Sequence, residues 1–372
     1  MAHGYADLKV IHDLDRISKL RSWREGKGSR PSPGQVQLIL SDLCNHDCSF
    51  CAYRLSGYSS NQNFADEQGN SNPRRMIPTE KALEIVRDCA AIGVQGLQFT
   101  GGGEPTAHPE HLRIMREALE LDLACALVTN GNLLRPGWED VFPRFRWLRV
   151  SMDAGTAEDY ARIRRVKASA WGRMLTNLES LAKADVPNLG TSFIVTKENY
   201  KGILAGAKAA QSAGAKYFRI GAFYNPDLDR YYDPSAGMRL SGKSPILREI
   251  EEMIEMAKGA CPEGFVFDQF TKRVEYMRRK PTQPFCGYQH VNVYVGGDLG
   301  VYRCCEYAYN DHGLLGSLKD QSFLQWWRSH EADDKYRCFD ATKCMTCPFH
   351  TKNELMEFMT RPDISETHPE FP

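Results

Sequence analysis

"LCNHDCSFCAYR", residues 43–54, sets three cysteines in the spacing Cys44-x3-Cys48-x2-Cys51. It follows directly on "QVQLILS" (35–41), whose alternation passes into an apolar run and predicts a strand. Three thiols on one loop at a strand end read as a ligand set rather than as core. Thiolates suit iron–sulfur clusters and zinc. A structural zinc ion normally takes four ligands. No fourth cysteine follows nearby, and His46, two residues after Cys44, is awkwardly placed to complete a Cys3His site. A [4Fe–4S] cluster held by three cysteines would leave one iron open to a substrate or cofactor.

Outward from the loop, strands and helices alternate. Strands are predicted at 35–41, 96–100, 123–131, 146–155, 189–196 and 216–223. Helices are predicted at 79–94, with Thr79 as N-cap, and at 109–121, 171–184 and 199–214. This pattern implies an α/β fold with a parallel sheet joined by right-handed crossovers. The polar residues gather at the strands' C-terminal ends, where α/β enzymes place their sites. We divide the chain into an N-terminal extension (1–34), an α/β core (35–225), a helical and loop connection (226–280), a cysteine-rich domain (281–350) and a tail (351–372). The polar stretch 55–75 is long for a strand–helix connection and reads either as a lid or as a surface insert.

Composition narrows the class. The chain has 372 residues, with Lys+Arg and Asp+Glu balanced at 47 each, which argues against a strongly basic nucleic-acid binder. No apolar secretory h-region opens it, and no apolar run is long enough to span a membrane, so a cytoplasmic location is expected. In a reducing compartment, clustered cysteines are metal ligands or catalytic groups rather than disulfides. Nine of the twelve are grouped: Cys44, Cys48 and Cys51; Cys286, Cys304 and Cys305; Cys338, Cys344 and Cys347. Cys89, Cys125 and Cys261 read as small core hydrophobes.

The loop, with Phe50 before its third cysteine, resembles the signature of radical S-adenosylmethionine (radical SAM) enzymes. "TGGGEPT" (100–106), "VTNG" (128–131) and "SMDAG" (151–155) resemble further motifs of that family, in order and each at a strand end. The resemblance implies a partial (β/α)6 barrel and a [4Fe–4S] cluster on Cys44, Cys48 and Cys51. S-adenosylmethionine would chelate the open iron through its amino and carboxylate groups. The implied cofactor contacts are Phe50, Gly101, Gly102, Gly103, Glu104 (to the ammonium), Asn130, Ser151 and Asp153 (to the ribose), Arg164, Ser192 and Ile220. The glycines would admit close backbone approach to the methionine moiety. The implied chemistry is reductive cleavage to a 5′-deoxyadenosyl radical, which abstracts hydrogen from a substrate carbon. It implies an electron donor such as flavodoxin or ferredoxin.

The segment 285–350 resembles the family's SPASM/twitch extension. No cysteine follows Cys347, so the shorter twitch arrangement fits better and selects Cys286, Cys304, Cys344 and Cys347 as ligands of one auxiliary [4Fe–4S] cluster. A zinc ribbon is the alternative. Cys305 and Cys338 are left over. Adjacent Cys304 and Cys305 face opposite ways if extended, and Cys304 is preferred as the ligand. The substrate is expected to be polar: a small molecule, a nucleotide or nucleic-acid base, or a peptide. Tyr224, Tyr231, Tyr232, Tyr288 and Tyr307 are candidate contacts for a planar or sugar-like part, and the basic runs 72–76 and 276–281 for phosphate. A non-catalytic electron-transfer protein is the remaining alternative, and it would have no use for the glycine and acidic motifs.

Overall fold

The computed structural model describes residues 7–53, 76–223, 245–277 and 279–362. The whole 55–75 insert, the basic run 72–76 apart from Met76, and residues 224–244 of the polar connection, with Tyr224, Tyr231 and Tyr232, lie outside them.

Strand β1 (Gln35–Ile39) buries Val36, Leu38 and Ile39 and ends in the cysteine loop. Parallel neighbours follow in chain order: β2 (Gly96–Thr100), β3 (Ala124–Thr129), β4 (Trp147–Ser151), β5 (Leu189–Val195) and β6 (Tyr217–Ala222). These are the six strands read from the sequence. Two more join them in parallel: β7 (Val266–Asp268) beside β6, and β8 (Asn292–Val295) beside β1. The stretch 226–280 therefore contributes a strand as well as helices. At three and four residues, β7 and β8 are too short to show a period. Strand β8 then turns through an antiparallel hairpin with β9 (Gly300–Tyr302), which pairs with β10 (Leu314–Ser317). The ten strands form one open sheet, ordered β10-β9-β8-β1-β2-β3-β4-β5-β6-β7. The cysteine-rich segment is thus hydrogen-bonded directly onto β1.

Helices cover the sheet: α1 (Leu14–Arg24), α2 (Thr79–Ile92), α3 (His111–Glu120), α4 (Ala157–Arg164), α5 (Ser169–Lys183), α6 (Ile203–Ser212), α7 (Pro245–Ala260), α8 (Phe270–Met277), α9 (Phe323–Trp327), α10 (His330–Arg337) and α11 (His350–Thr360). Pro78, not Thr79, holds the N-cap position of α2, and no side chain caps it. Proline's fixed φ suits the turn into the helix, which starts one residue earlier than expected. Gly93 ends α2 at φ 88°, a conformation that glycine adopts without strain. Among the expected core cysteines, Cys89 and Cys125 are buried, whereas Cys261 follows the end of α7 and is only half-buried.

Helix α1 clamps the C-terminal region. Arg24 pairs with Glu357 of α11 at 2.8 Å, and the Trp23 indole N–H donates to Asp333 of α10 at 2.6 Å. No helix among the described residues is long and apolar enough to cross a membrane.

Candidate active site and auxiliary thiol site

The rim at the C-terminal ends of β1–β6 carries the first site. Backbone contacts set the cysteine loop. The N–H groups of Asp47 and Ser49 donate to the carbonyls of Arg164 and Ile163 at the end of α4 (3.2 and 2.9 Å). Carbonyls that a helix end leaves unpaired are satisfied by the loop. The glycine motif is bound just as closely: Gly103 and Glu104 donate to the carbonyls of Ser41 and Leu43 at 3.0 and 2.9 Å. A Cβ on Gly103 would stand 2.2 Å from the Leu43 carbonyl oxygen, so only glycine allows this approach. This glycine serves loop-to-loop packing beside any role toward a cofactor.

Glu104 is buried and heavily bonded. Its Oε1 accepts from Thr106 N–H, Thr106 Oγ1 and Thr129 Oγ1 (3.1, 2.7 and 2.6 Å), and its Oε2 from Asn130 N–H at 2.7 Å. Burial raises its pKa, and these donors oppose the rise. With one donor on Oε2, that oxygen keeps capacity for another. The Asn130 side chain donates to Asn45 Oδ1 at 2.7 Å, tying the end of β3 to the cysteine loop.

Asp153 sits at φ 56°, almost wholly buried. Its Oδ1 accepts from Ile194 N–H at 2.6 Å, and its Oδ2 forms a close ion pair with Arg164. Burial pushes Asp153 above the usual carboxylate range, against the pull of Arg164. Burial likewise opposes the charge of Arg164, yet Asp153 holds its pKa above the usual value. A guanidinium keeps its proton, so the pair is read as ionised. Arg164 also interacts with the thiols of Cys48 and Cys44. Its Nη1 lies 3.4 Å from His46 Nδ1, and His46 packs edge-on against Tyr160. Burial and then Arg164 lower the His46 pKa to about 3, so the ring is neutral and accepts from the guanidinium. Its Nδ1 is thus directed to Arg164. Ser151 is half-buried, Ser192 buried in register beside it, Ile220 in the core of β6, and Phe50 packs against the main core. Gly101 is half-buried and Gly102 buried within the glycine turn.

The three thiols interact. Burial first, then Glu104, pushes Cys44 up to about 12, with smaller effects from Cys48 and Cys51, while the His46 N–H 3.4 Å from Cys44 Sγ opposes the rise. The all-thiol donor set, with a buried cation beside it, fits an iron–sulfur cluster. No three His, Cys, Asp or Glu side chains among the described residues converge tightly enough for a single metal ion. A four-iron cluster takes each thiolate on a different iron and tolerates the wider spread.

The second site gathers Cys286, Cys304, Cys344 and Cys347 from three separated segments. Cys304, Cys344 and Cys347 each interact with Cys286. Burial raises all four thiols. Donors oppose it: backbone N–H groups of Gln289 and Tyr288 at Cys286, of Tyr307 at Cys304 and of Phe349 at Cys347. Such donors favour thiolates. The Asn353 amide donates to Cys347 Sγ at 3.3 Å, and His312 Nε2 stands 3.4 Å from Cys344 Sγ. Cys305 interacts with its neighbour Cys304, with Tyr294 and Glu306, and with Tyr53, beside which it packs on a separate tyrosine cluster. Cys338 is exposed at the end of α10. Tyr288 stacks on Phe349 (centroids 3.7 Å apart), and the Tyr307 hydroxyl accepts from Met345 N–H, so both are engaged in packing around the thiols. In the basic run 276–281, Arg279 forms an ion pair with Glu275.

Sequence reasoning missed His46 as a link to Arg164, as well as Asn45, Arg303, His312 and Asn353. Nothing in "HTKNELM" marks Asn353 as a thiol contact, because the fold alone brings α11 against Cys347.

The profile of the Radical SAM superfamily matches residues 38–210. An S-adenosylmethionine-dependent nucleotide dehydratase of Lacinutrix mariniflava is 28% identical over 55% of this chain, a match spanning 39% of that protein. A PqqA peptide cyclase of Granulibacter bethesdensis is 23% identical over 73% of this chain and 71% of its own length. Among solved structures, Streptococcus suis SuiB bound to its precursor peptide SuiA superposes with a TM-score of 0.60 at 14% identity, covering 86% of this chain and 70% of that one. That likeness is one of fold.

Proposed function

From a chain whose residues 38–210 form a radical SAM domain, we propose an enzyme that modifies a polar substrate by hydrogen abstraction and is assisted by an auxiliary cluster. The carrying observation is the rim itself: the glycine motif is backbone-bonded to Ser41 and Leu43 beside the three thiols. When bound, a [4Fe–4S] cluster on Cys44, Cys48 and Cys51 with S-adenosylmethionine supplies the hydrogen-abstracting radical, given an electron from a donor such as ferredoxin or flavodoxin.

The chain's residues have separable tasks. Glu104, through Oε2, would hold the cofactor's ammonium by a charge-assisted bond. Asn130 and Asn45 keep the rim and the cysteine loop in register. The Asp153–Arg164–His46 chain fixes the loop and places positive charge beside Cys44 and Cys48; Asp153 acts here as a positioning residue. Ser151, Ser192 and Ile220 remain candidates for the ribose and adenine side. Cys286, Cys304, Cys344 and Cys347 would ligate the auxiliary cluster, closed by four thiolates and suited to accept an electron. The backbone donors at these thiols and the position of Cys305 against Tyr53 favour this ligand set.

A peptide is the preferred substrate. Similarity to the peptide cyclase covers 73% of this chain, against 55% for the nucleotide dehydratase. A nucleotide is the second reading, favoured by the higher identity to the nucleotide dehydratase. The test is anaerobic reconstitution. The chain should hold about eight irons, four per cluster, and cleave S-adenosylmethionine when reduced. Replacing Cys44, Cys48 and Cys51 together should halve the iron and abolish cleavage. Cleavage that survives the triple replacement would overturn the reading.

A further inference from the structure

We infer that Arg303 and Asn353 form a positively polarised shell that favours extra negative charge on the four-thiol site, and so set the reduction potential of the group it holds. The inference rests on the auxiliary-cluster reading above.

Arg303 is 5% exposed. Its guanidinium lies 3.6 Å from the Phe339 ring centroid and donates from Nη1 to Gln289 Oε1 at 2.5 Å, and its Nε has no partner. Among the described residues, no carboxylate pairs with it. An arginine cannot escape this burial by losing its proton, and an uncompensated buried charge is costly. The anions available to it are the thiolates: Cys286, Cys304 and Cys344 all favour its charge while burial opposes it. The cation is therefore placed for a site that is anionic when filled.

Asn353 adds a directed donor. Tyr288 N–H donates to its Oδ1 at 2.8 Å, which fixes the amide so that Nδ2 faces Cys347 Sγ at 3.3 Å. The Cys286 thiol, 3.7 Å from the same Oδ1, loses that contact when it ionises, whereas the bond to Cys347 strengthens. A cluster on four thiolates is anionic, and one-electron reduction adds one further negative charge. Nearby positive charge and hydrogen bonds to sulfur stabilise the reduced form and raise the potential. The three-thiol site differs, because its arginine is already neutralised by Asp153.

The test is a dithionite redox titration of the reconstituted full chain, followed by electron paramagnetic resonance. The signal to follow is the one that S-adenosylmethionine does not perturb. Arg303→Met should lower the reduced-to-oxidised ratio at fixed potential about tenfold, which is a shift of about 59 mV to more negative values for one electron. Arg303→Lys, which keeps the charge, should recover most of it. Asn353→Leu should shift the same way by about threefold. Normal iron with an unmoved midpoint in Arg303→Met and Asn353→Leu overturns the inference. If Arg303→Met holds no iron, Asn353→Leu decides it by the same criterion. Zinc in place of the second set of irons in the unaltered chain overturns the auxiliary-cluster reading, and this inference with it.

Discussion

The two thiol sites are built in opposite ways. The first is local: Cys44, Cys48 and Cys51 lie on one loop, and the neighbouring strand ends and helix α4 are fitted to it by backbone bonds. The second is assembled: Cys286 precedes β8, Cys304 follows β9, and Cys344 and Cys347 come before α11. Their charges differ too. Arg164 at the first site is paired with a buried carboxylate, whereas Arg303 at the second has no carboxylate partner among the described residues and lies among thiols and Tyr336. A local site is stable as a loop before it is filled. An assembled one depends on the hairpin register and on the helices that close over it.

The largest effect that can break this comparison concerns the hairpin register. Cys304→Ala should lose the auxiliary cluster, about half the iron of the reconstituted chain, because Cys304 faces Cys286. Cys305→Ala should keep it, since that thiol lies among Tyr53, Tyr294 and Glu306. Iron analysis of the two variants decides the matter. The reverse pattern would mean that the hairpin presents its other face.

A smaller effect sharpens the contrast between the two arginines. Arg164→Met should destabilise the metal-free chain by about 3–5 kcal/mol, because it strands the buried Asp153 carboxylate. Adding Asp153→Asn should restore part of that loss. Arg303→Met should cost the metal-free chain at most about 1 kcal/mol, since removing a buried, uncompensated cation relieves desolvation. Urea unfolding of these three variants beside the unaltered chain is the measurement. Equal losses for the two arginines would erase the distinction drawn here.

The difference between the sites also explains what could be read from the sequence. The six core strands and the first site were legible because their signals are short-range: apolar runs that end in Cys44-x3-Cys48-x2-Cys51, "TGGGEPT" and "SMDAG". The joining of β8 to β1 was not legible, because Asn292–Val295 gives no sign of its partner more than 250 residues away. The use of Asp153 was hidden for the same reason. Its motif suggests a ligand contact, while its oxygens meet Arg164 and Ile194 N–H. Arg303, His312 and Asn353 carry no local pattern. Their role arises from packing.

The smallest expected effect concerns the clamp that closes the assembled site. His290, between Cys286 and β8, is fully buried among the rings of Trp23, Phe285 and Tyr336. Neither ring nitrogen has a partner. Burial first, and then Arg30, Arg24, Arg303 and Arg337, hold its pKa well below the usual value, so the folded ring is neutral. In the unfolded chain it titrates near its ordinary value of about 6.5. Between these two values only the unfolded state binds the proton. Its contribution to stability is therefore complete above about pH 6.5 and is lost as the pH falls toward the folded value, with a limiting slope of about 1.4 kcal/mol per pH unit. His108 and His111 are also buried with lowered values and add slope of the same sign, so the test is a difference. Urea unfolding of the metal-free chain at pH 7.5 and 5.5 should show a shallower acid loss for His290→Phe, whose ring suits the same aromatic box. An unchanged slope would mean that α1 and α10 open before the global transition and let the imidazole protonate in a largely folded chain. The assembled site would then have a looser cover than the barrel rim.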